Sequence, residues 1–461
     1  MNFAKIVATI GPSSEHPEVF TQLVKAGLSV ARLNFSHGNH EEHGARIKMI
    51  RDVSKKLKKD VAILADLCGP KIRIGDLATP RILEAKSMVT FSCSNHTENT
   101  IPVQYVKLAQ EVKKGTVLML DDGKLSCVVE KTEGEHIIAR VVVGGELKSR
   151  KGINVINGML SVRAFTDKDK KDVLFAAKAG VDCVALSFVR NPKDVLDIKA
   201  YLKKNGFTLP VISKIETEEA IADLEEIVKV SDGVMVARGD LAVEVPTEYV
   251  PLYQNRMIDL ARKYNVPVIT ATQMLESMTR RPTPTRAEVS DVAHAVFGGT
   301  DCVMLSEETA AGLYPLEAVS MMSRILDVSR ARRPGNFAAH EWTNSDGVVK
   351  AAIELAKKIQ AKAIITLTET GNTTRRVASY RMDIPHLALT PHVATLYRLQ
   401  LSYGVTPHLI TSFKTLDNAI ARAKEVSTGA YSLKKGDSVV LVGGMPFGKA
   451  GGTNFVYTIT L

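Results

Sequence analysis

Short apolar, β-branched runs alternate along this chain with longer stretches whose apolar positions recur at helical spacing. The runs are Lys5 to Ile10, Val30 to Phe35, Val61 to Asp66, Val181 to Val189, Val211 to Glu216, Gly233 to Arg238, Val266 to Thr272 and Cys302 to Ser306. Segments of helical length lie between them, among them Thr217 to Lys229 and Glu248 to Tyr264. Eight such units predict an α/β protein built on a TIM (β/α)8 barrel, with strands buried on both faces.

The alternation breaks after the third run. From about Lys71 to Arg163 the pattern turns to short strands with Gly-containing pairs such as Asp122-Gly123 and Gly144-Gly145. It reads as a small all-β domain inserted between strand three and its helix, placed as a lid over the barrel's C-terminal face. After Arg333 a second α/β block follows, with helices expected at Asp346 to Ile359, Thr373 to Tyr380, Val393 to Leu401 and Leu416 to Val426. Its strands are expected at Ala363 to Thr368, His386 to Thr390, Thr406 to Ile410, Ser438 to Val442 and Phe455 to Thr460. Ala331-Arg332-Arg333-Pro334-Gly335 reads as the linker. The expected division is therefore a barrel over 1–70 and 164–333, a lid over 71–163 and a C-terminal α/β domain over 336–461.

Barrel chemistry sits at the C-terminal ends of the strands. Six of the eight runs end in polar groups: Arg32-Leu33-Asn34-Phe35-Ser36-His37-Gly38, Asp66, Lys214 with Glu216, Arg238-Gly239-Asp240, Thr272-Gln273, and Ser306-Glu307-Glu308-Thr309. On a strand, residues two apart face the same way. That pairs Lys214 with Glu216, Arg238 with Asp240, and Asn34 with Ser36. Two carboxylates beside a cation suit Mg²⁺, which keeps waters and substrate oxygens in its shell. Arg32, Lys214 and Arg73 could neutralise a phosphoryl group. A structural Lys214–Glu216 ion pair fits the same spacing.

Composition narrows the picture. The 461 residues are 45% hydrophobic and 5% aromatic, with a net charge of +10 and a pI near 9.2. The basic clusters, Lys55-Lys56-Leu57-Lys58-Lys59 and Lys168-Asp169-Lys170-Lys171, read as solvated helix ends. No aromatic-rich RNA-binding signature accompanies them, so nucleic acid is not expected as a partner. The five cysteines are widely spaced, odd in number and without a CxxC pair, which points to buried free thiols. No charged-then-apolar leader and no apolar run of membrane-spanning length is present. A cytoplasmic protein without membrane contact is expected.

Several long motifs resemble pyruvate kinases. They are Ala4-Lys5-Ile6-Val7-Ala8-Thr9-Ile10-Gly11-Pro12-Ser13-Ser14, Ala31 to Gly38, Ile212-Ser213-Lys214-Ile215-Glu216, Met235 to Leu241, and Ala271 to Met278. The likeness runs to Gly451-Gly452-Thr453-Asn454. It implies Mg²⁺-dependent (or Mn²⁺-dependent) transfer of phosphate from phosphoenolpyruvate to ADP, in glycolysis, by a homotetramer. Carried over by position, Glu216 and Asp240 would hold the metal, and Lys214 and Arg32 the phosphoryl group. Gly239, Asp240 and Thr272 would bind the substrate carboxylate, and Thr272 with Ser306 would deliver a proton. Asn34, His37, Arg73 and Asp122 would lie towards the nucleotide.

The chain departs from the family at its monovalent-cation region, which would comprise Asn34, Ser36, Asp66 and the backbone of residue 67. Leu67 stands where Thr is common and Lys71 where Glu is common. The Lys71 ammonium could supply the charge of K⁺, as in the K⁺-independent, bacterial-like type, or it could face solvent at the lid hinge. The family's allosteric site would fall on Thr368, Glu369, Thr370, Gly371, Asn372 and Thr373, before a helix N-terminus, with Gly444 to Lys449 closing over a sugar phosphate or AMP. An inactive metabolite-sensing relative is the alternative reading, which Lys214, Glu216, Asp240 and Thr272 together oppose.

Overall fold

The computed structural model describes residues 3–94, 97, 99–156, 161–330, 343–412, 415–431, 433–449 and 451–461. The proposed linker at 331–335 and the Asn157-Gly158 turn lie outside them. Eight parallel strands close a barrel: Lys5–Thr9, Leu28–Asn34, Ala62–Asp66, Cys183–Leu186, Val211–Ile215, Gly233–Ala237, Val268–Ala271 and Cys302–Leu305. Strand eight pairs with strand one, with Lys5 opposite Cys302, and completes the closure. Alternate residues face opposite ways: Ile6 and Ala8 join the outer core under the helices, while Val7 joins an inner core with Leu64, Ile212, Met235 and Met304.

A six-stranded, largely antiparallel sheet lies between strand three and its helix, Asp167–Ala179, and carries its own apolar core. The C-terminal unit is a five-stranded sheet ordered Val405–Leu409, His386–Thr390, Ala363–Leu367, Ser438–Gly443 and Phe455–Thr460. Only the last strand runs antiparallel. Leu401 of this unit sits in the barrel's inner core and so plugs its N-terminal end.

Several expectations need correction. The segment from Thr217 to Lys229 forms two helices, Glu218–Ala222 and Leu224–Val230, which meet at Asp223. Glu248 to Tyr264 opens with a 3-10 turn, Thr247–Tyr249, before the helix Val250–Lys263. The fourth strand stops at Leu186, because Phe188 takes the left-handed conformation at φ 54°. The basic run at Lys168 to Lys171 is not simply a solvated end: Asp169 is completely buried. The five cysteines are free thiols, four of them buried. Among the described residues no helix is long and apolar enough to cross a membrane.

Candidate active site at the barrel mouth

Strands two, three and five converge their polar ends on one buried knot. Arg32 donates from Nε to Asp66 Oδ2 at 2.7 Å and from Nη1 to Thr9 Oγ1 at 2.9 Å. Lys214 Nζ stands 2.9 Å from Glu216 Oε1 and 3.4 Å from Asp66 Oδ1, so the expected same-side placement of Lys214 and Glu216 holds. Neither oxygen is aligned to receive a hydrogen bond from it. The hydrogen bond of Lys214 goes instead to Ser187 Oγ at 2.7 Å.

Charge here is deeply enclosed: Asp66 is 1% exposed and Glu216 0%. Burial pushes the Glu216 carboxyl above its ordinary value, with Asp240 adding and Lys214 opposing. Burial alone would lower Lys214, but Asp66 and Glu216 outweigh it and keep the ammonium charged. Burial likewise disfavours an ionised Asp66, yet Lys214 and Arg32 hold its carboxyl below the usual range. Burial, then the charges of Arg73, Arg32 and Lys71, hold His37 below its ordinary value.

Arg238 and Asp240 do not share a strand face, because strand six ends at Ala237 and Arg238–Glu244 is a short helix. Arg238 turns away from the mouth. Its Nε donates to Ala271 O, Nη2 to Thr272 O at 2.6 Å and Nη1 to Asp291 Oδ1 at 2.7 Å. These bonds hold Thr272 and Gln273 at φ 69° and 54°, a conformation that costs about 1–3 kcal/mol per non-glycine residue. Gly239 N donates to Thr272 Oγ1 at 2.8 Å, and that hydroxyl donates to Ala271 O. Ser36 lies in a turn rather than a strand, and its N–H donates to Asn34 Oδ1.

The lid reaches this rim through Lys71. Its ammonium lies 3.5 Å from Asp240 Oδ1 and 3.3 Å from Asp122 Oδ1 at the lid's turn. With 24% of its side chain exposed, Lys71 does not simply face solvent. Arg73 donates to Arg150 O within the lid and faces His37 electrostatically. Ser306 is half-buried, and its N–H donates to Glu308 Oε2; Glu308 Oε1 accepts from Leu275 N and so joins the ends of strands seven and eight.

Sequence reasoning missed Ser187 and Phe188. Ser187 follows Leu186 at the end of strand four as Ser306 follows Leu305 at the end of strand eight. Reading the fourth run through to Val189 hid that parallel.

The donor set can be tested against a divalent ion. Glu216 Oε1 is a buried carboxylate oxygen that accepts no hydrogen bond, and Asp240 is close enough to raise the Glu216 carboxyl. Among the described residues no group of three or more His, Cys, Asp or Glu is placed to hold a metal. Two carboxylates completed by ligand oxygens and water is the usual Mg²⁺ arrangement, and the residues fit it.

In the C-terminal unit, Thr368, Thr370, Asn372 and Thr373 line a cavity shared with Arg376 and Lys449; Gly371 does not line it. Its helix, Asn372–Ala378, has only seven residues and offers little N-terminal dipole. Glu369 also lines the cavity, with Oε2 lying 2.5 Å from His392 Nε2.

A barrel with a charged C-terminal mouth, a β lid and a second α/β unit defines a lidded TIM-barrel enzyme. The model of the pyruvate kinase barrel domain matches residues 1–319, and that of the pyruvate kinase alpha/beta domain matches 346–459. The chain is 41% identical to the pyruvate kinase of Clostridium acetobutylicum, over 99% of both chains. It is 44% identical to pyruvate kinase 2 of Synechocystis sp., covering 98% of this chain and 78% of that one. It is also 44% identical to the Geobacillus stearothermophilus pyruvate kinase, over 98% and 79%. The chain belongs to the pyruvate kinase family, whose members are phosphotransferases.

Proposed function

We propose that the protein transfers the phosphoryl group of phosphoenolpyruvate to ADP, giving pyruvate and ATP, with Mg²⁺ held by Glu216 and Asp240. The observation that supports this most is the Lys214 ammonium fixed between two buried carboxylates, each with one oxygen that accepts no hydrogen bond. Such a site aligns and neutralises rather than attacks, which is what phosphoryl transfer needs. Lys214 and Arg32 take the phosphoryl oxygens as the enol ester P–O bond breaks and the bond to the ADP β-phosphate oxygen forms. The Asp240 N–H and Thr272 hold the substrate carboxylate, joined by the Gly239 N–H when the carboxylate takes over the bond it makes to Thr272 Oγ1. The enolate left behind takes a proton through the Thr272 and Ser306 network. The metal, when bound, adds positive charge against the phosphoryl and carboxylate oxygens. Asn34, His37, Arg73 and Asp122 form the nucleotide side, and docking of the lid limits hydrolysis.

Activity without K⁺ is part of the same reading. Lys71 places a fixed ammonium at the rim. The oxygens expected of a monovalent-cation site are already engaged: Asp66 by Arg32 and Lys214, the Leu67 carbonyl by Ser187 Oγ, and Asn34 Oδ1 by Ser36 N. The C-terminal cavity, with Thr hydroxyls, Arg376 and Lys449, fits a phosphorylated allosteric effector such as a sugar phosphate or AMP. The family resemblance further supports a cytoplasmic homotetramer acting in glycolysis.

The test is pyruvate formation from phosphoenolpyruvate and ADP with Mg²⁺, with and without K⁺, beside Lys214→Ala. Equal turnover in both buffers, falling about 10³-fold in the variant, is expected. A Lys71→Glu variant should acquire K⁺ dependence, and its failure to do so would sink the substitution argument. A folded protein inactive in both buffers would favour a metabolite sensor.

A further inference from the structure

The lid is joined to the barrel by two chain crossings, and one carboxylate touches both. Asp169, completely buried, lies in the first turn of the helix Asp167–Ala179. Its Oδ2 accepts from Thr166 N at 2.9 Å and from Thr166 Oγ1 at 2.5 Å, just after the chain returns from the lid. Thr166 Oγ1 accepts in turn from Asp169 N, which completes a capping box. The other oxygen, Oδ1, accepts from Gly69 N at 3.1 Å, on the outgoing crossing one hundred residues earlier.

Gly69 is held tightly. It has φ 66°, and a Cβ added there would lie 2.9 Å from Ser187 Cβ and 3.0 Å from the Phe188 ring. The backbone of the outgoing crossing is therefore pressed onto Ser187 and Phe188. Those two residues support the mouth. Ser187 Oγ accepts from Lys214 Nζ at 2.7 Å and donates to Leu67 O at 2.7 Å. Phe188 N donates to Glu216 Oε2 at 2.7 Å, which leaves Oε1 as the open oxygen.

We propose that Asp169 is a positioning residue that seats Gly69 against Ser187-Phe188 and thereby sets the places of Lys214 and Glu216, so that the lid hinge and the reacting groups share one support. The inference rests on the reading of Glu216 as a metal ligand and Lys214 as the phosphoryl-neutralising cation. An isolated capping box would stabilise a helix end and nothing more. Here the second carboxylate oxygen spans to another crossing, and the contact chain continues to the mouth in three steps.

The variants that separate these roles are Asp169→Ala and Thr166→Ala. The second removes the capping hydroxyl but leaves the Asp169–Gly69 bond. Melting temperature, kcat, KM for phosphoenolpyruvate and the affinity for Mn²⁺ alone, read by electron paramagnetic resonance, would be measured on the full chain. Asp169→Ala is expected to weaken Mn²⁺ binding and kcat by about 10- to 100-fold, as loss of outer support for a ligand commonly does. Thr166→Ala should keep both within about twofold while losing comparable thermal stability. If Asp169→Ala does not fold, Asp169→Asn serves: one amide N–H would then face Thr166 N or Gly69 N, and the same losses are expected. The proposal is overturned if the Asp169 variant that folds keeps Mn²⁺ affinity and kcat, or if Thr166→Ala loses them in step with its melting temperature. Mn²⁺ binding does not depend on which phosphoryl donor is used. A wild type that binds Mn²⁺ but does not turn over phosphoenolpyruvate would therefore count against the proposed reaction and leave the positioning test readable.

Discussion

The two ends of the barrel handle buried charge in opposite ways. At the N-terminal end, Asp182, Asp232 and Asp301 stand just before strands four, six and eight. Each accepts from an N–H at the start of the preceding strand: Ile63, Val211 and Val268. Each also receives an arginine: Arg51, Arg398 and Arg381. Two of those arginines come from the C-terminal unit, so the same ion pairs fasten the plug to the barrel. At the C-terminal mouth, Asp66 and Glu216 are more deeply buried than Asp182 and Asp232, yet each has one oxygen, beside the Lys214 ammonium, that accepts no hydrogen bond. Thr272, Gln273 and Phe188 add left-handed backbone there. One end commits its carboxylates to closure; the other leaves Glu216 Oε1 held by the Lys214 ion pair without a hydrogen bond.

That contrast can be broken from either side. The largest effect should come from Glu216→Gln. It should lower turnover about 10³-fold, a larger effect than its cost in stability, which comes from setting the new amide N–H against Lys214 Nζ or Phe188 N. Steady-state kinetics beside calorimetry would check both halves. Asp301→Ala should do the reverse. Leaving Arg381 buried without its acid should cost about 3–5 kcal/mol, with turnover per folded molecule nearly unchanged. Equal kinetic damage from the two variants would erase the distinction.

The smallest effect concerns the lid's seat. Glu244 accepts from Asn154 Nδ2 of the lid at 3.0 Å. Burial pushes its carboxyl up to about 7, opposed by Asn154 and reinforced by Glu219, Asp240 and Glu218. A carboxyl raised in the folded state binds its proton more tightly there than in the unfolded chain. Its contribution is therefore fullest in acid and is lost as pH rises from the ordinary carboxylate range through about 7. Glu244→Gln should raise the melting temperature relative to wild type by about 1–3 °C at pH 8 and by much less at pH 5. An equal shift at both values would show that ionisation of Glu244 is not involved.

Much of the barrel was legible because a strand covered on both faces is written as an unbroken apolar run, and each of the eight runs overlaps a barrel strand. The mouth was legible where a polar residue interrupts or ends such a run, as at Lys214, Glu216 and Thr272. It was not legible where the backbone leaves the strand early. The Arg238–Glu244 helix and the turn at Phe188 depend on what packs beside them, and no local propensity announces either. The capping aspartates were visible in sequence as Val181-Asp182-Cys183, Ser231-Asp232-Gly233 and Thr300-Asp301-Cys302, but one Asp before a strand is unremarkable until the neighbouring strand's N–H is seen to meet it.

By itself, then, the sequence determined the order of elements, the insertion after strand three and the residue types at the rim, since periodicity and composition are local properties. Only the tertiary structure decided which carboxylates are satisfied and which stay open, that Arg238 serves the strand-seven turn, and that Asp169 joins both lid crossings. Those outcomes depend on contacts between residues up to hundreds of positions apart. Hydrogen-bond directions and desolvation are set only when those residues come together.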